Sequence, residues 1–322
     1  MSADKSSCPQ PKIRRDRRTQ HSIGSYRHIM ASLAKTIIAT GVSSGLGFEA
    51  IKQLLEQAQP YRIILGARNT QRTREAYDAL AFDREANSLD VLPLELSDLR
   101  GVRAFAGEAR SKLGGRSLDY LLLNAGISNG AQEPGPHGSK WCESLIVNHL
   151  SHHYLMHLLR PKIEESKSRV VFVSSGAVRN VPDTSVLDKD LLGGSGVDGK
   201  TTYPQTKFVA LLGAHWWRRQ LAGQCDVVAV SPGLIPQTGI SRGSGMVLPV
   251  DNPDAKSVAE GGANVLRALF RDDLPEDPER IFLTSWGEWW PKDVYGNSLD
   301  KGLQDKWCPS KEDLEKDEGL TE

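Results

Sequence analysis

The sequence predicts an α/β protein built on a doubly wound parallel sheet, on three observations. Short apolar runs recur from residue 36 onward and read as buried parallel strands. Helix-length segments separate them, which calls for right-handed crossovers and a sheet covered on both faces. The first run leads straight into a glycine-rich turn, Thr40-Gly-Val-Ser-Ser-Gly-Leu-Gly47.

Thr36–Thr40 is the first strand, and a helix follows from Gly45 to about Gln57. Arg62–Gly66 is the second strand, and a polar helix over about 70–85 leads to a third at Asp90–Glu95. Pro93 is awkward there, because proline cannot donate to a ladder. Ser97 or Asp98 caps a helix that runs to about Leu113. Leu118–Leu123 is the fourth strand, followed by a long helix over about 140–160 with Pro161 near its end. Arg169–Val173 and Asp226–Val230 are the fifth and sixth strands, flanking a helix over about 203–221. Arg280–Thr284 is the last strand. The expected layout is a basic, disordered extension over 1–33, one domain over 34–284, and a Trp-rich tail over 285–322 near the substrate pocket. Met30 stands just before the first strand as an alternative start.

Composition narrows the function. Lys plus Arg and Asp plus Glu number 40 each, so no basic surface for nucleic acid or anionic membrane is expected overall. No run of 18 apolar residues exists, so no membrane span is expected. Cys8, Cys142, Cys225 and Cys308 are scattered, which disfavours a disulfide framework or zinc site and suits a reducing, cytoplasmic setting. His149, His152, His153 and His157 lie near one helix but lack a zincin-type Glu, so they are expected to pack and no metal is expected. The remaining partners are a small-molecule substrate and, in a homo-oligomer, further copies of the chain.

The glycine turn carries the first chemical signal. Gly41 allows a sharp turn, while Gly45 and Gly47 let backbone approach a pyrophosphate. The following helix start offers free N–H groups and a positive dipole end to phosphates. The segment Gly41, Ser43, Ser44, Gly45, Leu46 and Gly47 is therefore a candidate dinucleotide cradle of Rossmann type. Arg68 follows the second strand, where such folds hold the adenosine ribose. An acidic residue there would accept the 2′-OH of NAD, whereas Arg favours the 2′-phosphate of NADP.

Tyr203 and Lys207 carry the second signal. Four residues apart on a helix, they project from one face. A tyrosine near pKa 10 is a poor acid–base group at neutral pH, and a neighbouring ammonium lowers that value by favouring phenolate. Ser175, at the end of the fifth strand, can hydrogen-bond a substrate oxygen.

In combination these motifs resemble the short-chain dehydrogenase/reductase family. The spacing G-x-x-x-G-x-G, Asn124-Ala-Gly126, Tyr203-Pro-Gln-Thr-Lys207 and Ser231-Pro-Gly233 follow one another as in that family, over residues 36 to about 240. The resemblance implies a Rossmann fold, a nicotinamide cofactor and further site residues. Asn124 would line the cofactor, Glu95 and Leu96 would lie beside the adenine, and Ile235 and Thr238 would meet the carboxamide and phosphates. Glu95 stands where the family more often has Asp. The second serine of the pair, Ser175 rather than Ser174, would act, and Asn148 would hold a water relaying protons to Lys207.

The stretch between Ser175 and Tyr203 is longer than in simple members and includes Gly193-Gly-Ser-Gly196, expected to form a loop at the rim of the site. The chain is closest to the protochlorophyllide-reductase-like and retinol-dehydrogenase-like subgroup, through Asn148-His-Leu150, Ser231–Gly239 and Ser285-Trp-Gly-Glu-Trp289. Met156 takes the position of the cysteine of the photoenzymes, so their light-driven reaction is not implied. The resulting expectation is an NADP(H)-dependent oxidoreductase acting on a carbonyl/alcohol pair. C=C reduction and a non-catalytic NADP sensor are the rivals.

Overall fold

The computed structural model describes residues 34–236, 238–245, 249–252 and 254–320. The basic extension expected over 1–33, with Met30 and Cys8, lies outside these.

In chain order the main elements are β1 (Lys35–Thr40), α1 (Gly45–Leu55), β2 (Tyr61–Ala67), α2 (Thr70–Asp78), β3 (Ser88–Pro93), α3 (Leu99–Leu113), β4 (Tyr120–Leu123), α4 (Ser151–Ser166), β5 (Arg169–Val173), α5 (Gly199–Gln220), β6 (Asp226–Val230), α6 (Val258–Phe270), β7 (Phe282–Leu283), α7 (Lys301–Trp307) and α8 (Lys311–Asp317). The sheet order is β3-β2-β1-β4-β5-β6-β7 and every neighbouring pair is parallel. The chain winds outward from β1 to β3, then returns to β4 on the other side of β1. The crevice beyond the ends of β1 and β4 is thus the switch point, where ligands bind in open α/β sheets.

Alternation along each strand feeds two cores, because successive side chains point to opposite faces. Ile38, Leu121, Leu123, Val170 and Phe172 pack on one face, with α3, α4 and α5. Ile37, Ala39, Leu122, Val171 and Val173 pack on the other, with α1 and α6. Among the described residues, no helix is long and apolar enough to cross a membrane.

The elements depart from expectation at several ends. Helix α2 stops at Asp78 rather than near 85, and Arg84 folds back onto the carbonyls of Asp78 and Leu80. Strand β3 spans Ser88–Pro93 and is an edge strand, so Pro93 at its end withholds no needed donor; Leu94 N–H resumes the ladder to the Ala67 carbonyl. Asp98, not Ser97, caps α3, accepting from Arg100 N–H at 2.9 Å. Strand β4 begins at Tyr120 rather than Leu118.

The helix expected over 140–160 begins with a turn at Glu143–Leu145, widens into a π turn at Ile146–Leu150, and continues as α4 through Pro161 to Ser166. Burial of Leu159 and Ile163 on either side of Pro161 outweighs the lost hydrogen bond. Helix α5 starts a turn earlier than expected, capped by Asp198, so Tyr203 sits within it.

Strand β7 has only two residues. The chain then turns back, with Thr284 N–H bonded to the Glu288 carbonyl and Trp290 N–H to that of Phe282. The tail joins the main core through Trp290, Tyr295, Trp307, Leu314 and Leu320, so no structural boundary falls at residue 285.

Candidate active site

The glycine turn is closed by β4's own loop. Gly41 adopts φ +66, and a Cβ there would stand 2.5 Å from Ala125 Cα. A Cβ on Gly47 would overlap the Gly41 carbonyl and the Asn124 amide. Asn124 Nδ2 donates to the carbonyls of Gly41 (2.7 Å) and Thr40 (3.2 Å), so it braces the turn from below. Ser44 is the N-cap of α1 but caps no N–H with its side chain. The first amides of α1 thus remain donors for an anion. Ser43 and Ser44 are exposed beside them. The Leu46 side chain reaches Gly261 of α6. A nucleotide pyrophosphate fits this cradle: backbone is bare where it must approach, and free donors point at it.

Arg68 is exposed immediately after β2. The Glu95 carboxylate accepts from the Ser97 N–H at 3.1 Å, folding onto its own turn. Ile235 is buried against Gly261. Thr238 comes to the glycine turn, its Cβ 3.8 Å from where a Cβ on Gly45 would stand.

The second cluster lies beyond β5. Ser174 is buried and its hydroxyl points to the Lys207 carbonyl, 3.4 Å away. Ser175 Oγ instead accepts from Ala177 N–H at 3.1 Å. The Ser175 turn is held by Ser231, whose Oγ accepts from Gly176 N–H at 2.9 Å. Burial pushes the Tyr203 phenol up, and the nearby Ser175 hydroxyl works against that shift. Lys207 is only 4% exposed. Its Nζ donates to the Val173 carbonyl at 2.9 Å, and burial lowers its pKa to about 8.

Asn148 sits in the π turn, buried. Its Oδ1 accepts from Ile127 N–H at 2.8 Å, and its Nδ2 donates to the Ile127 carbonyl (2.8 Å) and Thr206 Oγ1 (2.9 Å). The side-chain amide is thus spent on fixing the loop after β4. A π turn displaces the backbone carbonyls from the α-helical ladder, a feature frequent at functional sites. A Cβ on Gly126 would meet Lys207 Nζ at 3.0 Å and Asn148 Oδ1 at 3.3 Å, so Lys207, Asn148 and the Asn124–Gly126 loop converge.

The long stretch between Ser175 and Tyr203 is more than a loop. It contains a helical turn at Leu187–Asp190, and Gly193, Gly194 and Gly196 bond the backbone of Lys140, Glu133 and Ala131. On the other side, the edge of Trp290 lies 3.8 Å from where a Cβ on Gly176 would stand, with Arg179 over its ring at 5.1 Å. Trp286 packs edge-on against Trp290 and is 59% exposed.

The helix histidines do pack. His149 and His153 hydrogen-bond the carbonyls of Trp307 (2.7 Å) and Pro309 (2.8 Å), tying down the tail. No group of three or more metal-ligating side chains occurs among the described residues. Met156, Cys142, Cys225 and Cys308 are buried. Sequence reasoning gave no role to Thr40, His152, Thr206 or Ser231. Each carries one small polar group inside an apolar stretch or motif, and no local pattern separates that from ordinary packing.

Three comparisons bear on this geometry. A model of the short chain dehydrogenase family matches residues 35–186. A short-chain dehydrogenase/reductase of Pestalotiopsis microspora is 54% identical over 288 residues, covering 88% of this chain and 99% of that protein. Retinol dehydrogenase 12 of Mus musculus is 27% identical over 249 residues, covering 74% of each chain. Of several other relatives this chain spans about half the length. Among solved structures, NADPH-bound carbonyl reductase from chicken fatty liver superimposes with a TM-score of 0.61 at 20% identity, covering 80% of this chain and 94% of that one, a likeness of fold.

Proposed function

The chain belongs to the short-chain dehydrogenase/reductase family, and on that premise we propose that it is an NADP(H)-dependent oxidoreductase interconverting a carbonyl and an alcohol on a small apolar molecule. The observation that carries the reading is the buried Lys207, its ammonium held on the Val173 carbonyl at the end of β5 and one turn along the same helix from Tyr203.

The nicotinamide, when bound, supplies or takes the hydride. The chain's own residues handle the rest. Ser175 Oγ and Tyr203 Oη together orient the substrate oxygen. Tyr203 holds its proton at neutral pH and gives it to the alkoxide forming in reduction, or takes it back in oxidation. Lys207 stabilises the phenolate left behind, since a nearby ammonium favours the charged form of a phenol. Asn148 anchors the loop that faces Lys207 and supports the proton relay. Gly41, Ser43, Ser44, Gly45, Leu46, Gly47, Asn124, Ile235 and Thr238 form the cofactor wall, with Glu95 at the adenine end. The exposed Arg68, with no carboxylate in its place, favours the 2′-phosphate and hence NADP over NAD. Trp286 and Trp290 are the apolar lip of the substrate cleft, which suits an apolar substrate.

Tyr203→Phe tests the assignment, because it removes one oxygen and keeps the ring. Turnover of any active ketone or aldehyde, followed by NADPH absorbance, falls about 100- to 10,000-fold. NADPH affinity by fluorescence changes far less. Near-normal turnover in Tyr203→Phe would remove the acid–base role. Tight NADPH binding with no carbonyl or alcohol ever turned over would favour a sensor.

A further inference from the structure

A buried hydrogen-bonded chain connects the glycine turn to the start of α4, and its polarity can be read group by group. Thr40, the last residue of β1, is fully buried. Its hydroxyl oxygen accepts from two backbone amides, Asn124 N–H at 3.1 Å and Ala125 N–H at 3.2 Å. A hydroxyl has two lone pairs and one proton. With both lone pairs taken, the proton points to His152 Nε2, 3.0 Å away. His152 Nε2 therefore accepts, and in a neutral ring Nδ1 carries the hydrogen. The ring belongs to the first turn of α4, which follows directly on the π turn that holds Asn148. The ring is 3% exposed. Burial, reinforced by the charge of Lys207 nearby, lowers its pKa to about 3, so it stays neutral.

We propose that His152 is a positioning residue, locked as the neutral Nδ1–H tautomer, that couples the cofactor-binding turn to the proton-transfer end of the site. Through Thr40 it sets the backbone of Asn124 and Ala125, on which the glycine turn rests. Through α4 it is continuous with the π turn, whose Asn148 fixes Ile127 in the loop that faces Lys207. A shift at either end is passed to the other, because the imidazole is rigid and its helix runs straight into the π turn. A flipped or charged ring would set donor against donor at Thr40, and a charged one would also repel Lys207. The coupling rests on the reading of Tyr203 and Lys207 as the proton-transfer pair; the tautomer does not.

The first test is the imidazole nitrogen NMR spectrum of the cofactor-free wild type, with the His152 signals assigned by their loss in His152→Gln. The expected result is a single neutral Nδ1–H ring throughout about pH 5 to 8, the range over which an ordinary histidine titrates. An Nε2–H tautomer, or a ring that titrates near its ordinary value, overturns the proposal.

The second test compares His152→Phe, which keeps a ring and loses the hydrogen bond to Thr40, with His152→Gln, whose amide offers an acceptor and a donor. His152→Phe should lose about 10- to 100-fold in kcat, the scale of a small misplacement of reacting groups. It should also shift the pH profile of kcat and weaken NADPH binding severalfold, while His152→Gln restores part of each. Unchanged kcat, pH profile and NADPH affinity in His152→Phe would leave only packing. If His152→Phe does not fold, Thr40→Val against Thr40→Ser makes the same comparison from the other end, with loss expected only in Thr40→Val. Should Tyr203→Phe keep its turnover while the NMR result and the NADPH affinities hold, the acid–base assignment falls and the His152–Thr40 lock on the glycine turn stands.

Discussion

Replacing Lys207 by Met should make the apoprotein more stable while removing its activity. The ammonium is buried and desolvation lowers its pKa from the usual 10.5 to about 8. Below about pH 8 the group is charged in both folded and unfolded chains, so folding bears the whole desolvation cost, about 3 kcal/mol at roughly 1.4 kcal/mol per pH unit. As pH rises from about 8 toward 10.5 the folded form loses its proton first and the cost shrinks, to below about 1 kcal/mol at pH 10. Methionine has a similar unbranched stem and no charge. It leaves the Val173 carbonyl without the Lys207 hydrogen bond, a loss of about 1 kcal/mol. The net gain at pH 7 is about 2 kcal/mol, or about 4 °C in Tm for a domain of this size. Differential scanning fluorimetry of both proteins without cofactor, at pH 7 and pH 10, reads the difference. The variant should melt higher at pH 7, and its advantage should disappear at pH 10. A variant that melts no higher at pH 7, or keeps its advantage at pH 10, would refute the argument that Lys207 is held at a desolvation cost.

Arg68→Ala should weaken NADPH binding by roughly 1.5–3 kcal/mol, the scale of a hydrogen bond to a charged group, and barely change NADH binding; equal losses for both would end the 2′-phosphate assignment. Gly47→Ala should weaken NADPH binding at least about tenfold and lower stability by about 1–3 kcal/mol, because the added Cβ overlaps the Gly41 carbonyl as well as Asn124; wild-type affinity would mean the turn opens freely. Acid should destabilise the protein well above the carboxylate range. His149, His152, His153 and His215 are buried, and burial pushes all four below the usual 6.5. The unfolded chain therefore takes up protons first as pH falls through 6.5, and each ring removes up to about 2 kcal/mol by pH 5. Tm should fall steeply from pH 7 to pH 5, and more gently in His215→Phe; a flat Tm over that interval would contradict the burial of these rings as neutral groups.

Much of this molecule is legible in one dimension because its signals are local. The apolar runs at Thr36–Thr40 and Arg169–Val173 are strands buried on both faces, and the glycine turn needs bare backbone wherever it occurs. The i,i+4 spacing of Tyr203 and Lys207 defines one helix face without any knowledge of the sheet. Element ends were less legible. The length of α2, the passage of α4 through Pro161 and the two-residue β7 depend on what packs against them, which no window of sequence contains.

Tertiary structure alone decided the rest. It brought Trp290 back from the tail to Gly176, set the tail's Trp307 and Pro309 carbonyls on His149 of the π turn and His153 of α4, and joined Thr40 to His152 across 112 positions. The physical reason is common to all three. A hydrogen-bond partner, a tautomer and a desolvated charge are properties of the space around a group, and that space is filled by residues far away in the chain. Sequence determined which chemical groups the site could use. Packing determined which of them are neutral, which are charged at a cost, and which way each proton points.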